Sequence, residues 1–141
     1  MTEDIYAGDL TAKETWRQLV EETGALLIDV RTPEEWAFVG VPDLTSLGKE
    51  VAFVPWTLFP DKRANPDFED SIARHATDKD VALLFICRSG VRSRHAAIAM
   101  TGRGYGRCYN VADGFEGPKN ETGHRGTLAG WKVDGLAWKQ D

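Results

Sequence analysis

Apolar and polar positions along this chain fall into short blocks with two different periods. Trp16, Leu19 and Val20 recur at helical spacing behind Thr11 and Glu14, a pair three residues apart that forms a capping box. A first helix is therefore expected, ended by Gly24. Ala25-Leu26-Leu27-Ile28-Asp29-Val30 is too brief an apolar run for a helix and reads as a strand buried on both faces, as in a parallel sheet. Thr32 as N-cap, Pro33 at the first helical position and Glu35 closing the box predict a short second helix before Gly40 and Pro42. Residues 51–54 read as another strand, and 55–62, with Trp56, Leu58 and Phe59 between prolines, as an ordered loop. Asn65-Pro66 opens a third helix with Phe68, Ile72 and Ala76 on one face. The most apolar segment, 81–86, is expected to be the central strand and ends at Cys87. Residues 93–100 read as a helix stopped by Gly102 and Gly104, and 107–111 as the last strand. A glycine-rich loop and a short helix at 128–133 follow. Strands alternating with helices imply an α/β fold with a mostly parallel sheet.

The 141 residues suit a single domain spanning 1–141, and a hydrophobic fraction of 42% is enough for one core. With 28% charged residues the composition is not that of a disordered chain. The net charge of -5 argues against general nucleic-acid binding while leaving room for a local basic pocket. No apolar run approaches the ~18 residues of a membrane span, so no membrane partner is expected. The first residues, MTEDIYAGDL, lack the basic start of a signal peptide. A cytoplasmic location follows, with the two cysteines, Cys87 and Cys108, as free thiols and no disulfide framework or zinc site.

The candidate chemistry lies at Cys87-Arg88-Ser89-Gly90-Val91-Arg92-Ser93. A buried strand delivers a cysteine to its carboxyl end, where open α/β sheets bind ligands, and a helix starts directly afterwards. Loop amides can form an anion nest, and the first turn of the helix adds unpaired donors and its positive dipole end. Such surroundings favour a thiolate over a thiol. A strand-end cysteine alone is more often an inert core residue. Two guanidinium groups within five residues of the thiol reverse that balance. Ser93 is expected to cap the following helix.

These residues resemble the single-domain active-site loop of the rhodanese family. Three further stretches agree with that family in order: Leu27-Ile28-Asp29-Val30-Arg31-Thr32-Pro33-Glu34-Glu35-Trp36, Asn110-Val111-Ala112-Asp113-Gly114-Phe115-Glu116-Gly117, and the stretch from Gly130-Trp131 to Gly135-Leu136. The resemblance implies a rhodanese-like three-layer α/β fold, a mostly parallel sheet with helices on both faces, and sulfurtransferase chemistry. Cys87 would attack the outer sulfur of an anionic donor, thiosulfate or a persulfide, keep that sulfur as a persulfide, and pass it to a thiol or cyanide acceptor. Arg88, Ser89, Gly90, Val91, Arg92 and Ser93 would bind the donor, with Asp29 and Arg31 bracing the loop. No metal or organic cofactor is needed, and the sulfur donor or acceptor can itself be a protein. One segment departs from the family pattern: where Gly-His-Ile and then Pro-Gly-Ala are usual, this chain reads Gly40-Val41-Pro42-Asp43-Leu44.

Two rival readings remain. A sulfur-carrier or sensor module would hold the same persulfide but turn over small donors poorly. Cysteine phosphatases place Arg at the sixth position after Cys. Here the fifth position is Arg92 and the sixth Ser93, a tighter loop suited to one sulfur, and Ile86 stands where phosphatases carry histidine. His75, His95 and His124 show no ligand spacing, and Cys108 is expected to be buried. Trp36 and Trp56 are expected to be core or cover residues.

Overall fold

The structure is a computed structural model that describes residues 5–58, 61 and 63–140. Its elements run β1 (Gly8–Leu10), α1 (Ala12–Glu21), β2 (Leu26–Asp29), α2 (Pro33–Val39), β3 (Val41–Pro42), β4 (Ala52–Phe53), β5 (Thr57–Leu58), β6 (Arg63–Ala64), α3 (Phe68–His75), β7 (Leu83–Ile86), α4 (Val91–Gly102), β8 (Cys108–Val111) and β9 (Trp138–Lys139). Five strands form one parallel sheet in the order β1-β8-β7-β2-β4, which puts β7 at its centre.

Every residue of β7 is buried, because successive side chains of a central strand enter opposite layers. Ile28, Leu83 and Phe85 join Phe68 and Ile72 of α3 and Ala96, Ala97 and Met100 of α4 in one core cluster. Leu27, Leu84 and Ile86 join Leu19 of α1, Phe115 and Trp131 in the other. The α/β class with a parallel sheet is thus the one the apolar pattern implies, and the three-layer arrangement is the one the rhodanese resemblance implies. Both predicted capping boxes close. Thr11 Oγ1 accepts from the Glu14 amide at 3.1 Å while Glu14 Oε1 accepts from the Thr11 amide at 2.9 Å, and Thr32 and Glu35 do the same at the start of α2.

Four local expectations are corrected. Gly24 is not a left-handed terminator: α1 ends at Glu21, and Lys49 Nζ donates to the carbonyls of Glu22, Thr23 and Ala25, which satisfies the chain end with a side chain from 24 or more residues away. Within 55–62, expected as an ordered loop, Thr57–Leu58 instead forms a strand that pairs antiparallel with Arg63–Ala64, while Phe59, Pro60 and Lys62 lie outside the described residues. The segment 128–133 is a turn rather than a helix, with Asp134 N–H bonded to Gly130 O at 2.9 Å and Gly135 N–H to Lys132 O at 3.1 Å. Two glycines, Gly130 and Gly135, both left-handed, bound it too closely for a second turn. Strand 107–111 is not the last: β9 pairs antiparallel with β3, and β1, also absent from the sequence-based expectation, forms an edge of the main sheet. Strands of two or three residues carry too few positions for a period to register.

That β3–β9 pair occupies the segment where the chain departs from the rhodanese pattern. Gly40 has φ 100°, and a Cβ there would stand 2.8 Å from Lys139 O and from the Trp138 ring. The C-terminal strand therefore lies directly against the backbone of the altered segment.

Candidate active site

Cys87 follows β7 at the carboxyl edge of the sheet and is 1% exposed. Its Sγ lies 3.1 Å from the Gly90 amide, which donates to it, and 3.2 Å from Ser93 Oγ. Gly90, and not Ser93 as expected, is the N-cap of α4; it has φ 100° and makes no side-chain cap bond, and Ser93 lies inside the first turn. The sulfur thus accepts from the amide that leads directly into the first turn of α4, near the unpaired amides at the helix start. Those amides and the helix dipole favour negative charge at this point.

The loop is shaped from outside by the later segment 112–117. Phe115 N–H donates to Cys87 O at 2.8 Å, and Glu116 and Gly117 N–H donate to Arg88 O at 3.0 and 3.1 Å. In a planar trans peptide the C=O and the following N–H point in opposite directions. Fixing these two carbonyls on the late loop therefore turns the amides of Arg88 and Ser89 away from it. The close approach has no room for side chains. A Cβ on Gly114 would fall 2.5 Å from Arg88 O, and one on Gly90 would run into the carbonyl oxygen of Ala112. Glycine at these two positions is a requirement of the site's shape. Asp113 and Glu116 belong to this loop through its turn geometry.

Asp29 and Arg31 are wholly buried and paired, Arg31 Nη2 to Asp29 Oδ2 at 2.7 Å and Nε to Oδ1 at 3.0 Å. Arg31 also donates to Gly40 O at 2.8 Å, and its guanidinium lies 4.4 Å from the centre of the Phe115 ring. Since Phe115 N–H holds Cys87 O, the ion pair reaches the loop through one intermediate residue.

Arg88 is exposed, as is Val91 beside it, and Ser89 is half-buried. Arg92 is bound fork to fork by Glu35, Nη1 to Oε1 at 2.6 Å and Nη2 to Oε2 at 2.8 Å. Burial alone would raise the Glu35 pKa. Hydrogen bonds from Arg92, its charge, and the Thr32 amide and hydroxyl outweigh burial and hold it down at about 2. The same pair raises the already high pKa of Arg92.

Sequence reasoning assigned Glu35 only to a helix cap and gave Asn110 no role of its own. Asn110 is 3% exposed and its Oδ1 lies 2.5 Å from Ser93 Oγ. The available signal was an amide side chain inside the strand expected at 107–111. Cys108 is buried, and burial pushes its thiol up to about 11. It stands opposite Leu83, four residues before Cys87, which places the two cysteines about 13 Å apart along the strand direction. His95 is exposed on α4, and His124 contacts Thr122 in the loop after Gly117. Trp36 packs edge-on against Phe53, and with Pro33, Ala37, Val41 and Lys139 the two line a groove of about 360 Å³ that includes no residue of the 87–93 loop. Trp56 packs against Phe68. No helix among the described residues is long and apolar enough to cross a membrane.

The sequence profile described as the STR4 middle domain matches residues 7–141. An uncharacterized protein of Rickettsia conorii, RC0915, is 39% identical over 132 residues, covering 93% of this chain and 96% of its own. The thiosulfate sulfurtransferase GlpE of Pseudomonas syringae is 32% identical over 99 residues, 70% of this chain and 76% of its own. Among solved structures, Rv0390 from M. tuberculosis superposes with a TM-score of 0.88 at 44% identity, covering 97% of this chain and 100% of that one. The polysulfide-sulfur transferase homodimer of Wolinella succinogenes shares the fold at a TM-score of 0.62 and 20% identity, with 98% of this chain and 80% of that chain covered.

Proposed function

The chain belongs to the STR4 middle-domain family, a rhodanese-like family with sulfurtransferase relatives, and from that premise we propose that it moves sulfane sulfur through a persulfide on Cys87. The reading is carried by one observation: the Cys87 sulfur receives the Gly90 amide at 3.1 Å at the start of α4. A thiolate there attacks the outer sulfur of the donor. With thiosulfate, the S–S bond breaks, its electron pair leaves with sulfite, and Cys87–S–S⁻ remains. A thiolate or cyanide acceptor then takes the outer sulfur and returns the Cys87 thiolate. Charge and atoms balance in both halves, as ping-pong chemistry requires. The loop amides hold the outer anionic sulfur as preorganised donors. Arg88, exposed, draws in the donor. Arg92, already matched by Glu35, contributes the shape of the loop and a compensated charge.

That compensation favours a persulfide donor over dianionic thiosulfate, and with it the sulfur-carrier form of the same chemistry. Protein partners and a reducing, cytoplasmic setting fit this reading. Intact mass after incubation with donor tests it. One added sulfur, about 32 Da, removed by reductant and absent in Cys87→Ala, is expected. Steady turnover of thiosulfate and cyanide supports the enzyme, and loading only from a persulfide donor supports the carrier. No added sulfur from either donor, with hydrolysis of an aryl phosphate, overturns both.

A further inference from the structure

Ser93 has one hydroxyl proton and two neighbours able to take it, the Cys87 sulfur at 3.2 Å and Asn110 Oδ1 at 2.5 Å. The orientation of the Asn110 amide decides between them. Its Nδ2 faces two oxygens, Asp9 Oδ1 at 3.1 Å and Gly90 O at 3.2 Å. A flipped amide would set its own oxygen against both, so Oδ1 must face Ser93, where it can only accept. Ser93 is fully buried and Asn110 nearly so, and water does not relieve the competition.

Resting on the sulfur-transfer reading of Cys87, we propose that Asn110 is a positioning residue that withholds the Ser93 proton from the Cys87 thiolate and thereby favours conversion of that thiolate into a persulfide. The three states of the sulfur differ in how well they fit the network. A thiol donates its own proton to a Ser93 lone pair, while Ser93 donates to Asn110, and every group is satisfied. A persulfide carries its charge on the outer sulfur. The inner sulfur is then a weak acceptor, and Ser93 again stays with Asn110. Only the bare thiolate competes for the proton, and whichever acceptor loses is a buried group left short of a bond. The thiolate is therefore the state this network disfavours, and gaining a sulfur relieves it.

The test titrates Cys87 in the full chain by the ultraviolet absorbance of its thiolate, with Cys87→Ala as blank. The charged groups around the sulfur, Arg92 with Glu35, Asp29 with Arg31, Arg88, and Asp9 beyond Asn110, are unchanged in all variants compared. Asn110→Leu frees the Ser93 hydroxyl to turn to the sulfur, and the midpoint is expected to fall by about one pH unit, roughly tenfold in the proton equilibrium. With Ser93→Ala also present, Asn110→Leu is expected to leave the midpoint where Ser93→Ala alone put it. Ser93→Ala alone is expected to leave the midpoint unchanged or lower, since its proton is committed elsewhere. This single variant carries the test if Asn110→Leu does not fold. A rise of a full unit in Ser93→Ala, or an equal fall on Asn110→Leu with and without Ser93, overturns the proposal. In equilibrium with a low-molecular-weight persulfide, Asn110→Leu is expected to hold about tenfold less sulfur relative to thiolate. The titration needs no sulfur donor. Failure to load sulfur counts against the transfer chemistry alone, and a midpoint unmoved by the single variant Asn110→Leu in a protein that loads sulfur counts against Asn110 alone.

Discussion

Arg92 on the first turn of α4 and Glu35 on the first turn of α2 are joined by two parallel hydrogen bonds of 2.6 and 2.8 Å. Through this pair the helix after the cysteine loop is anchored to the helix that follows the neighbouring strand. Both side chains are about four-fifths buried, so the pair is shielded in a way surface pairs are not.

Glu35→Gln is expected to cost about 2 kcal/mol at neutral pH, between the values for exposed and fully buried pairs. The pH dependence has a definite sign. Glu35 titrates at about 2 in the folded chain against an ordinary 4.5. Its contribution is complete above pH 4.5 and is lost as pH falls through that window towards 2. Urea midpoints of the parent and Glu35→Gln, measured from pH 7 downwards, should converge below pH 4.5. A gap that persists undiminished to pH 2.5 would show that the carboxylate is not the stabilising form.

Gly90→Ala is expected to destabilise the fold by about 3 kcal/mol, because a left-handed residue gains a Cβ aimed at the Ala112 carbonyl. Gly48 is the control. It has φ 69° and nothing within 4 Å of the place a Cβ would take, and Ala there should cost only the left-handed strain of about 1 kcal/mol. Thermal or urea unfolding distinguishes the two, and equal losses would mean that the contact with Ala112 is not tight.

Asp29→Asn leaves Arg31 charged, buried and without its counter-ion, and is expected to cost about 3–5 kcal/mol. Replacing both partners by apolar residues of similar size should recover most of that loss. Urea unfolding of the two variants checks this. A double variant no more stable than Asp29→Asn would mean that the pair's bonds to Gly40 and its contact with Phe115 matter more than its charge.

Cys108→Ala should leave sulfur loading of Cys87 intact. Its thiol is held up at about 11 by burial and lies about 13 Å from Cys87 along the strands. Mass spectrometry after donor treatment should show the same single addition in both proteins. Loss of the added sulfur in Cys108→Ala would mean that Cys108 takes part in loading Cys87.

Much of this arrangement was legible in the sequence because the signals were local. Thr11 with Glu14, and Thr32 with Glu35, announce helix starts within four residues. The 81–86 run announces a buried strand, and a Gly-containing loop between strand and helix announces a nest. What escaped depended on residues far apart in the chain. Lys49 reaches the carbonyls that follow α1 from 24 or more positions along the chain, Asn110 meets Ser93 only because β8 lies beside β7, and Glu35 meets Arg92 across 57 positions. The short pairs β3–β9 and β5–β6 are fixed by their partners and not by any period of their own.

The bonds from Phe115, Glu116 and Gly117 to the carbonyls of Cys87 and Arg88 also bear on when the cysteine loop takes its shape during synthesis. The cysteine leaves the ribosome well before the segment that gives its loop a shape. Until that segment docks, nothing holds the carbonyls of Cys87 and Arg88, and the sulfur lacks the cover it has in the folded chain. A nascent polypeptide thus gains the shape of its cysteine loop and the shelter of its thiol in one folding event.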